Sequence, residues 1–139
     1  MDKVLIDTDI FSEILKSVNQ RVATNASAYH DHFGFYTICT ITVLEIVKGW
    51  HKLKREDKIQ QFFVEIIEAE VLTIQLGEAE LAGRIYADLE RTGQPIGLAD
   101  AMIAAIAIQQ NLILVSGNLS HYQRIQALGY NLKLDNWRI

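Results

Sequence analysis

Three acidic residues stand where the sequence predicts the end of a strand or the start of a helix. Asp7 directly follows the apolar run Val4–Ile6, Glu45 lies early in an apolar segment, and Asp100 lies early in the stretch 97–107, which is apolar almost all round. A carboxylate among apolar side chains is costly unless something pairs with it. Each acid therefore predicts a partner: a basic side chain, backbone donors or a metal ion.

Each of these acids also has a purely structural explanation. Asp7, Thr8 or Asp9 can each cap the helix that follows, although capping explains one of the two acids more easily than both. Thr42 and Glu45 have the spacing of a capping box, and Asp100 suits the positive end of a helix dipole. Position alone leaves both explanations open for each acid.

If the acids meet at one edge of a sheet, their chemistry is that of a hard metal ion. Carboxylates that converge repel one another unless a cation neutralises them, and a set of oxygen ligands suits Mg²⁺ or Mn²⁺. Such an ion binds a phosphate oxygen and activates a water molecule. The three acids Asp7, Glu45 and Asp100 are thus suggestive of phosphodiester hydrolysis.

The elements that would position these acids alternate along the chain. Short apolar runs predict strands at 4–6, 35–39, 71–74, 112–115 and 132–134. Helical spacing predicts helices over 10–18, 19–32, 40–50, 59–67, 78–91 and 97–107, and a short one from His121 that ends at Gly129. Strands that alternate with helices predict a mainly parallel sheet with helices on both faces, a three-layer α/β/α sandwich.

Length and composition limit the class of protein. The 139 residues predict a single domain over 1–139, and the single cysteine fits a reducing compartment. The first residues are too short an apolar run for a signal peptide or a membrane helix, so we expect a cytoplasmic protein without a membrane partner. A net charge of -4 does not suggest a general nucleic-acid coat protein.

One dense basic run remains compatible with a local nucleic-acid contact. It lies between positions 48 and 58, and its charged members include Lys48, Lys52, Lys54 and Arg55. Such a run is either a solvated face or an edge that contacts phosphates or a partner protein.

Four stretches in order resemble those of the PIN-domain ribonucleases, and specifically the VapC-type toxins of bacterial toxin–antitoxin pairs. They are VLIDTDI at 4–10, ITVLEIVKG at 41–49, IGLADAMIAA at 96–105 and LVSGNLSHY at 114–122. Any one of these stretches is weak evidence for the family, but the four occur in order and together span nearly the whole chain.

The resemblance implies which residues form the site. Asp7, Glu45 and Asp100 fall on the metal-binding acids of the family, and Asp9 falls where the family often has Asn. Ser116 and Asn118 fall on positions that support the acids or the waters of the metal. His121 departs from the pattern, because the family often has a fourth acid there. This departure favours one metal ion over two.

The resemblance also implies an activity and partners. It predicts an Mg²⁺-dependent endoribonuclease, with Mn²⁺ as the alternative ion, that forms a homodimer and is neutralised by a small cognate antitoxin. The resemblance does not identify the target RNA. Two other functions remain: a PIN-like module that only binds RNA or an antitoxin, and an aspartate-nucleophile phosphatase of the haloacid-dehalogenase type. The second fits Asp7-Thr8-Asp9, but no Thr follows two residues after Asp9.

Overall fold

The computed structural model describes all residues from Met1 to Ile139 and contains five short strands among seven helices. The strands are β1 (Val4–Ile6), β2 (Thr37–Cys39), β3 (Glu70–Leu72), β4 (Ile113–Val115) and β5 (Lys133–Asp135). The helices are α1 (Thr8–Lys16), α2 (Gln20–Phe33), α3 (Thr40–Lys52), α4 (Glu56–Glu65), α5 (Leu76–Arg91), α6 (Leu98–Gln109) and α7 (Leu119–Ala127). None of these helices has the length and apolar character needed to cross a membrane.

All paired strands are parallel, as the alternating pattern predicts. β4 lies between β1 and β5 in one ladder, and β2 pairs with β3 in a second. β1 and β2 lie side by side, so the strand order is β3-β2-β1-β4-β5. The Tyr29 hydroxyl fills the seam between the ladders, where it lies 3.4 Å from the Val4 nitrogen and 3.3 Å from Oγ1 of Thr37.

Helices cover the sheet on both faces, and each face has its own apolar core. Leu5 of β1 packs with the helices α5, α6 and α7 on one side. Its neighbours Val4 and Ile6 point the opposite way and pack with α1, α2 and α4. This alternation is the two-residue period of a strand that is buried on both faces. The predicted three-layer α/β/α sandwich is confirmed.

The helix α6 is the most deeply buried helix of the molecule. Ala101 and the run from Ile103 to Ala107 are almost inaccessible, which agrees with a sequence that is apolar nearly all round. Small alanine side chains let α5 and the sheet approach this helix closely. Asp100, in the first turn of α6, is therefore held by a rigid element.

Several local predictions differ from the structure. Val18 was predicted on the apolar face of α1, but the helix ends at Lys16, because Ser17 takes a left-handed conformation and leaves Val18 72% exposed. The capping box of Thr42 and Glu45 does not form either. α3 begins one turn earlier than such a box needs, with Cys39 as an N-cap residue that makes no side-chain bond.

Candidate functional site

Asp7 lies at the carboxyl end of β1, where it is buried and serves as the N-cap residue of α1. Its Oδ1 accepts a hydrogen bond from the Thr8 backbone nitrogen at 2.9 Å, and its Oδ2 accepts one from Oγ of Ser116 at 2.8 Å. Burial, followed by repulsion from Asp9, raises the pKa of Asp7 to about 7. A nearby cation would stabilise the ionised form of this buried carboxyl group and lower its pKa.

The Tyr122 hydroxyl joins Asp7 to Asp100. It lies 3.1 Å from Oδ2 of Asp7 and 3.3 Å from Oδ1 of Asp100, in a side chain that is wholly buried. Burial and the neighbouring carboxylates raise the pKa of Tyr122 well above its ordinary value, so the hydroxyl keeps its proton. Two acids that are 93 positions apart in the sequence thus meet at one hydroxyl group, where β1 ends and α6 begins.

A chain of polar contacts leads from Asp100 back to Asp7. Oδ2 of Asp100 lies 3.3 Å from Nδ1 of His121, which lies 2.8 Å from Nδ2 of Asn118. The backbone nitrogen of Asn118 in turn donates to Oγ of Ser116 at 2.9 Å. The loop after β4 therefore contacts Asp7 directly through Ser116 and Asp100 through Asn118 and His121.

Glu45 belongs to the same neighbourhood but is held apart from the two aspartates. Its Oε1 accepts a hydrogen bond from Oγ1 of Thr8 at 2.7 Å. Oγ1 of Thr8 also lies 3.0 Å from Oγ1 of Thr42. Since the Thr8 nitrogen donates to Asp7, a single residue connects the two acids. Thr42 thus faces Thr8 and not the backbone at the start of its own helix.

Asp9 lies on the other side of Asp7 and has backbone and ionic partners. Its Oδ1 accepts from the Ile10 nitrogen at 2.7 Å, and its Oδ2 accepts from the Gly117 nitrogen at 3.0 Å. Nη2 of Arg138 lies 3.6 Å from the same Oδ2. Burial raises the pKa of Asp9, and the charge of Arg138 opposes this rise.

These side chains fit a divalent metal ion in their chemistry. Asp7 and Asp100 offer carboxylate oxygens within 3.3 Å of one hydroxyl oxygen, and their mutual repulsion favours a cation between them. No three side chains among the histidines, cysteines, aspartates and glutamates are grouped tightly enough to hold an ion as they stand. Of the three predicted ligands, Glu45 is the one that lies apart from the other two. The metal assignment of Asp7, Glu45 and Asp100 stays a prediction.

A cleft of about 590 Å³ opens beside Glu45, between α1, α3 and α4. Its walls carry the apolar side chains of Leu15, Ile46, Trp50, Leu53 and Phe62 together with the charged groups of Lys16, Glu45, Lys58 and Glu65. Of the predicted basic contacts, Lys48, Lys52 and Lys54 are exposed near the end of α3. Arg55 is engaged by Asp57, with Nη2 and Oδ2 2.9 Å apart.

Three contributors to the site were not assigned a role from the sequence. Tyr122 was part of a matched stretch, but nothing in its spacing showed that its hydroxyl reaches two acids. Thr8 was considered only as a helix cap. Arg138 lies 129 positions from Asp9, and only the folded chain brings the two together. No periodicity or local motif signals such a contact.

The parallel three-layer fold, with acids at the ends of its strands, is that of a known family. The model of the PIN domain family matches residues 4–126, and the chain belongs to this family. The resemblance to VapC-type toxins drawn from the sequence is also confirmed, because the relatives of the chain carry that name. This membership decides between the families that the sequence left open, in favour of the PIN domain over the haloacid-dehalogenase type.

Two curated relatives illustrate the similarity. Ribonuclease VapC2 of Haemophilus influenzae is 31% identical over 141 residues, which cover 99% of each chain. The tRNA(fMet)-specific endonuclease VapC of Shigella flexneri is 28% identical over 131 residues, or 92% of this chain and 96% of the relative.

Solved structures agree with the fold over almost the full length. The DNA-bound VapBC of Salmonella typhimurium matches with a TM-score of 0.81 and 28% identity, covering 99% of each chain. VapBC2 of Rickettsia felis, bound to a DNA fragment from its promoter, also has a TM-score of 0.81. At 24% identity and with 96% and 98% of the two chains covered, the second likeness shows the fold alone.

Proposed function

We propose that this protein is a metal-dependent endoribonuclease toxin that a cognate antitoxin neutralises. The observation that carries the proposal is the meeting of Asp7 and Asp100 at the Tyr122 hydroxyl, in a chain whose relatives are named VapC ribonucleases. Two carboxylates that share one hydroxyl are poised for a cation, and the named relatives act on RNA. Both lines of support point to phosphodiester hydrolysis.

In this proposal Asp7, Asp100 and Glu45 hold Mg²⁺, or Mn²⁺ in its place. The bound ion would supply positive charge for a phosphate oxygen and lower the pKa of a water molecule that attacks phosphorus. Ser116 keeps Asp7 in place through its 2.8 Å bond, and Thr8 keeps Glu45 in place through its 2.7 Å bond. Such supporting bonds fix the direction in which the carboxylate oxygens point.

Asp9 and His121 complete the polar surroundings of the two aspartates. Asp9 is fixed by two backbone nitrogens and orients a water molecule near Asp7. His121 lies with its Nδ1 against Asp100, where the family often has an acid, and its other ring nitrogen, Nε2, can donate to a phosphate. Because His121 adds no carboxylate, we favour a single metal ion.

The RNA backbone is expected along the basic run that follows Glu45. Lys48, Lys52 and Lys54 are exposed and form no ion pair, so their charges are available to phosphates. Arg55 is already paired with Asp57 and contributes less to such a contact. Variants of the three lysines should weaken RNA binding with a shallower salt dependence.

The cognate antitoxin is expected in the cleft between α1, α3 and α4. Trp50 and Phe62 offer an apolar wall, while Glu45 and Glu65 offer negative charge at its border. An apolar segment with a basic side chain would match both features, and the basic group would lie against Glu45. The antitoxin would then block the acids and the cleft together. The similarity to the DNA-bound VapBC of Salmonella typhimurium supports such a partner.

A homodimer is the assembly that the resemblance implies. The apolar candidates for its surface are three aromatic residues of α3 and α4, of which Phe62 is buried, Trp50 is half-buried and Phe63 is 49% exposed. Light scattering of the purified chain measures the assembly directly. A monomer at all concentrations would refute this part of the proposal.

The decisive experiment is cleavage of a mixed RNA pool by the purified chain with Mg²⁺, with Mn²⁺ and with EDTA. The pool should contain initiator tRNA, because two relatives are named for tRNA(fMet). Asp100→Asn keeps the shape of the side chain but removes its charge, so we expect a loss of cleavage of about a hundredfold or more. Cuts that persist in EDTA or in the Asp100→Asn variant would refute the assignment.

The same experiment tests the binding-module alternative. A folded chain that binds RNA or antitoxin but does not take up Mn²⁺ and makes no cuts would be such a module. A titration with Mn²⁺, which needs no RNA substrate, separates this outcome from an enzyme whose target is absent from the pool.

A further inference from the structure

We infer that Arg138 is a positioning residue of the candidate nuclease site, where it holds Asp9 in place and offsets part of the negative charge around Asp7. The inference rests on the proposed function for its effect on cleavage, but its effect on metal binding can be measured independently. Arg138 follows β5 and is not part of the four stretches that define the family resemblance.

Two contacts anchor the backbone that leads into Arg138. Trp137 is 7% exposed and packs in the core beside Tyr29, and its carbonyl oxygen accepts a hydrogen bond from Nδ2 of Asn25 at 3.0 Å. The Arg138 nitrogen donates to Oδ1 of Asn136 at 2.9 Å. The start of the side chain is therefore fixed before the guanidinium group reaches the site.

The guanidinium group is aimed by a second acid, Glu13 of α1. Nε of Arg138 donates to both carboxylate oxygens of Glu13, at 3.0 and 3.2 Å, and Nη2 lies 2.8 Å from Oε1. This two-pronged contact fixes the plane of the group, as arginine and carboxylate geometry allow. In that orientation Nη2 lies 3.6 Å from Oδ2 of Asp9.

Gly117 leaves the space that the guanidinium group occupies. A side chain at position 117 would overlap Nη1 and Cζ of Arg138 and would lie 2.9 Å from Oδ2 of Asp9. The same residue donates its backbone nitrogen to Asp9 at 3.0 Å. The loop after β4 thus holds Asp9 and admits Arg138 at one point.

The charge of Arg138 has no substitute nearby. No other lysine or arginine has a nitrogen within 4.0 Å of the carboxylate oxygens of Asp7, Asp9 or Asp100. Without this cation, Asp9 would add an unbalanced charge beside Asp7, a carboxylate that is already buried. Arg138 therefore adjusts the charge that a metal ion meets, and it does so without touching Asp7 or Asp100.

The first test is direct binding of Mn²⁺ to the full chain, measured by calorimetry or electron paramagnetic resonance. Arg138→Gln removes a positive charge near the carboxylates, so the affinity should rise by about threefold to tenfold. Arg138→Lys keeps the charge and should stay within about twofold of the wild type. Arg84→Gln, which removes an arginine from an exposed pair with Glu80, is the matched control.

The direction of the change separates this role from a structural one. A variant that merely loosened the site would bind Mn²⁺ more weakly and would melt earlier. Tighter binding by Arg138→Gln at a temperature where the variant is folded supports the inference. An unchanged or weaker affinity in that folded variant would overturn it, even if the wild type cleaves RNA as proposed.

The second test is a double-mutant cycle with Asp9→Asn on cleavage. If Arg138 acts through Asp9, then Arg138→Gln should lower kcat about tenfold in the wild-type chain and less than about twofold in the Asp9→Asn chain, with little change in KM. An equal loss in both chains would mean that Arg138 grips an RNA phosphate itself, and the inference would fail. If the wild type binds Mn²⁺ but does not cleave, only the proposed function fails, and the Mn²⁺ arm still decides the inference.

Discussion

The hydroxyl oxygen of Tyr122 lies 3.1 Å from Oδ2 of Asp7 inside the protein, and the same oxygen lies 3.3 Å from Asp100. A hydroxyl group has one proton and can donate it to only one carboxylate at a time. The second contact is favourable when that carboxyl carries a proton or when a cation lies between the acids. The Tyr122 hydroxyl therefore cannot donate a hydrogen bond to Asp7 and Asp100 at the same time, and one of the two carboxylates can gain from a cation.

Tyr122→Phe removes this hydroxyl and leaves the ring in place. Because the lost bonds go to carboxylates in the interior, we expect the free energy of unfolding to fall by about 1.5 to 3 kcal/mol. Denaturant titration of both proteins measures the change. Tyr130→Phe is the matched control, since the hydroxyl of Tyr130 bonds only to Asp88 on a more exposed face, and should cost less. Equal losses in the two variants would contradict the importance of the bridge.

Stability should depend on pH through Asp7. Its pKa is raised from 3.8 to about 7, chiefly by burial, so the folded chain keeps a proton that the unfolded chain loses as the pH rises from about 4 to about 7. The free energy of unfolding should therefore fall over that range, by up to about 4 kcal/mol from this group.

Asp7→Asn removes the titrating group, and we expect this variant to lose less stability than the wild type on going from about pH 4 to about pH 7. Chemical denaturation in metal-free buffer at several pH values gives the comparison. Parallel curves for the two proteins would show that Asp7 does not titrate in this range. Asp135→Asn, at an exposed position, is a suitable control because it keeps the wild-type pH dependence.

Gly117→Ala should displace Arg138 and destabilise the fold, because the added methyl group overlaps the guanidinium group. The guanidinium group is the far end of a flexible side chain that is 34% exposed, so it can move aside. We therefore expect the loss of its ion pairs to lower the free energy of unfolding by only about 0.5 to 1 kcal/mol. Gly83→Ala provides a control of opposite sign: no atom lies within 4 Å of the added carbon, and the helix α5 gains about 0.5 to 1 kcal/mol. Thermal melting distinguishes the two directions. A Gly117→Ala protein as stable as the wild type would contradict the crowding.

Thr8→Val should lower cleavage by releasing Glu45 from its 2.7 Å bond. The side chain keeps its shape, so the rate should fall by about fivefold to fiftyfold while the fold persists. In a Glu45→Gln chain the same change should add little, because Thr8 acts on cleavage through Glu45. Cleavage assays on the two single variants and the double variant test this. Independent effects would show that Thr8 acts elsewhere, for example on Asp7.

The predictable parts of this molecule are those that depend on local patterns. α6 is almost wholly apolar, so its burial followed from its own residues, and the acid at position 100 was conspicuous for the same reason. The end of α2 also has a local cause, because Gly34 takes the left-handed conformation that closes a helix.

Contacts between distant segments were outside the reach of sequence reasoning. The capping box at Thr42 had the right spacing and still did not form, because Thr42 finds Thr8 on another helix. Arg138 has no local sequence signal for a role at the site. It reaches Asp9 because Trp137 is anchored beside it and Glu13 pairs with its guanidinium group. In both cases the partner is chosen by the packing of elements that are far apart in the sequence.

The sheet consists of two separately hydrogen-bonded halves, which meet where the Tyr29 hydroxyl lies. β1 and β4 carry Asp7 and the loop of Ser116, whereas β2 leads into α3 with Glu45. No strand ladder joins β1 to β2. Side chains link the two halves instead: the Tyr29 hydroxyl, the ion pair of Lys3 with Glu70 and the bond of Thr8 to Glu45. The distance between Glu45 and the aspartates is thus set by side-chain contacts, chiefly those of Thr8, and not by a strand ladder.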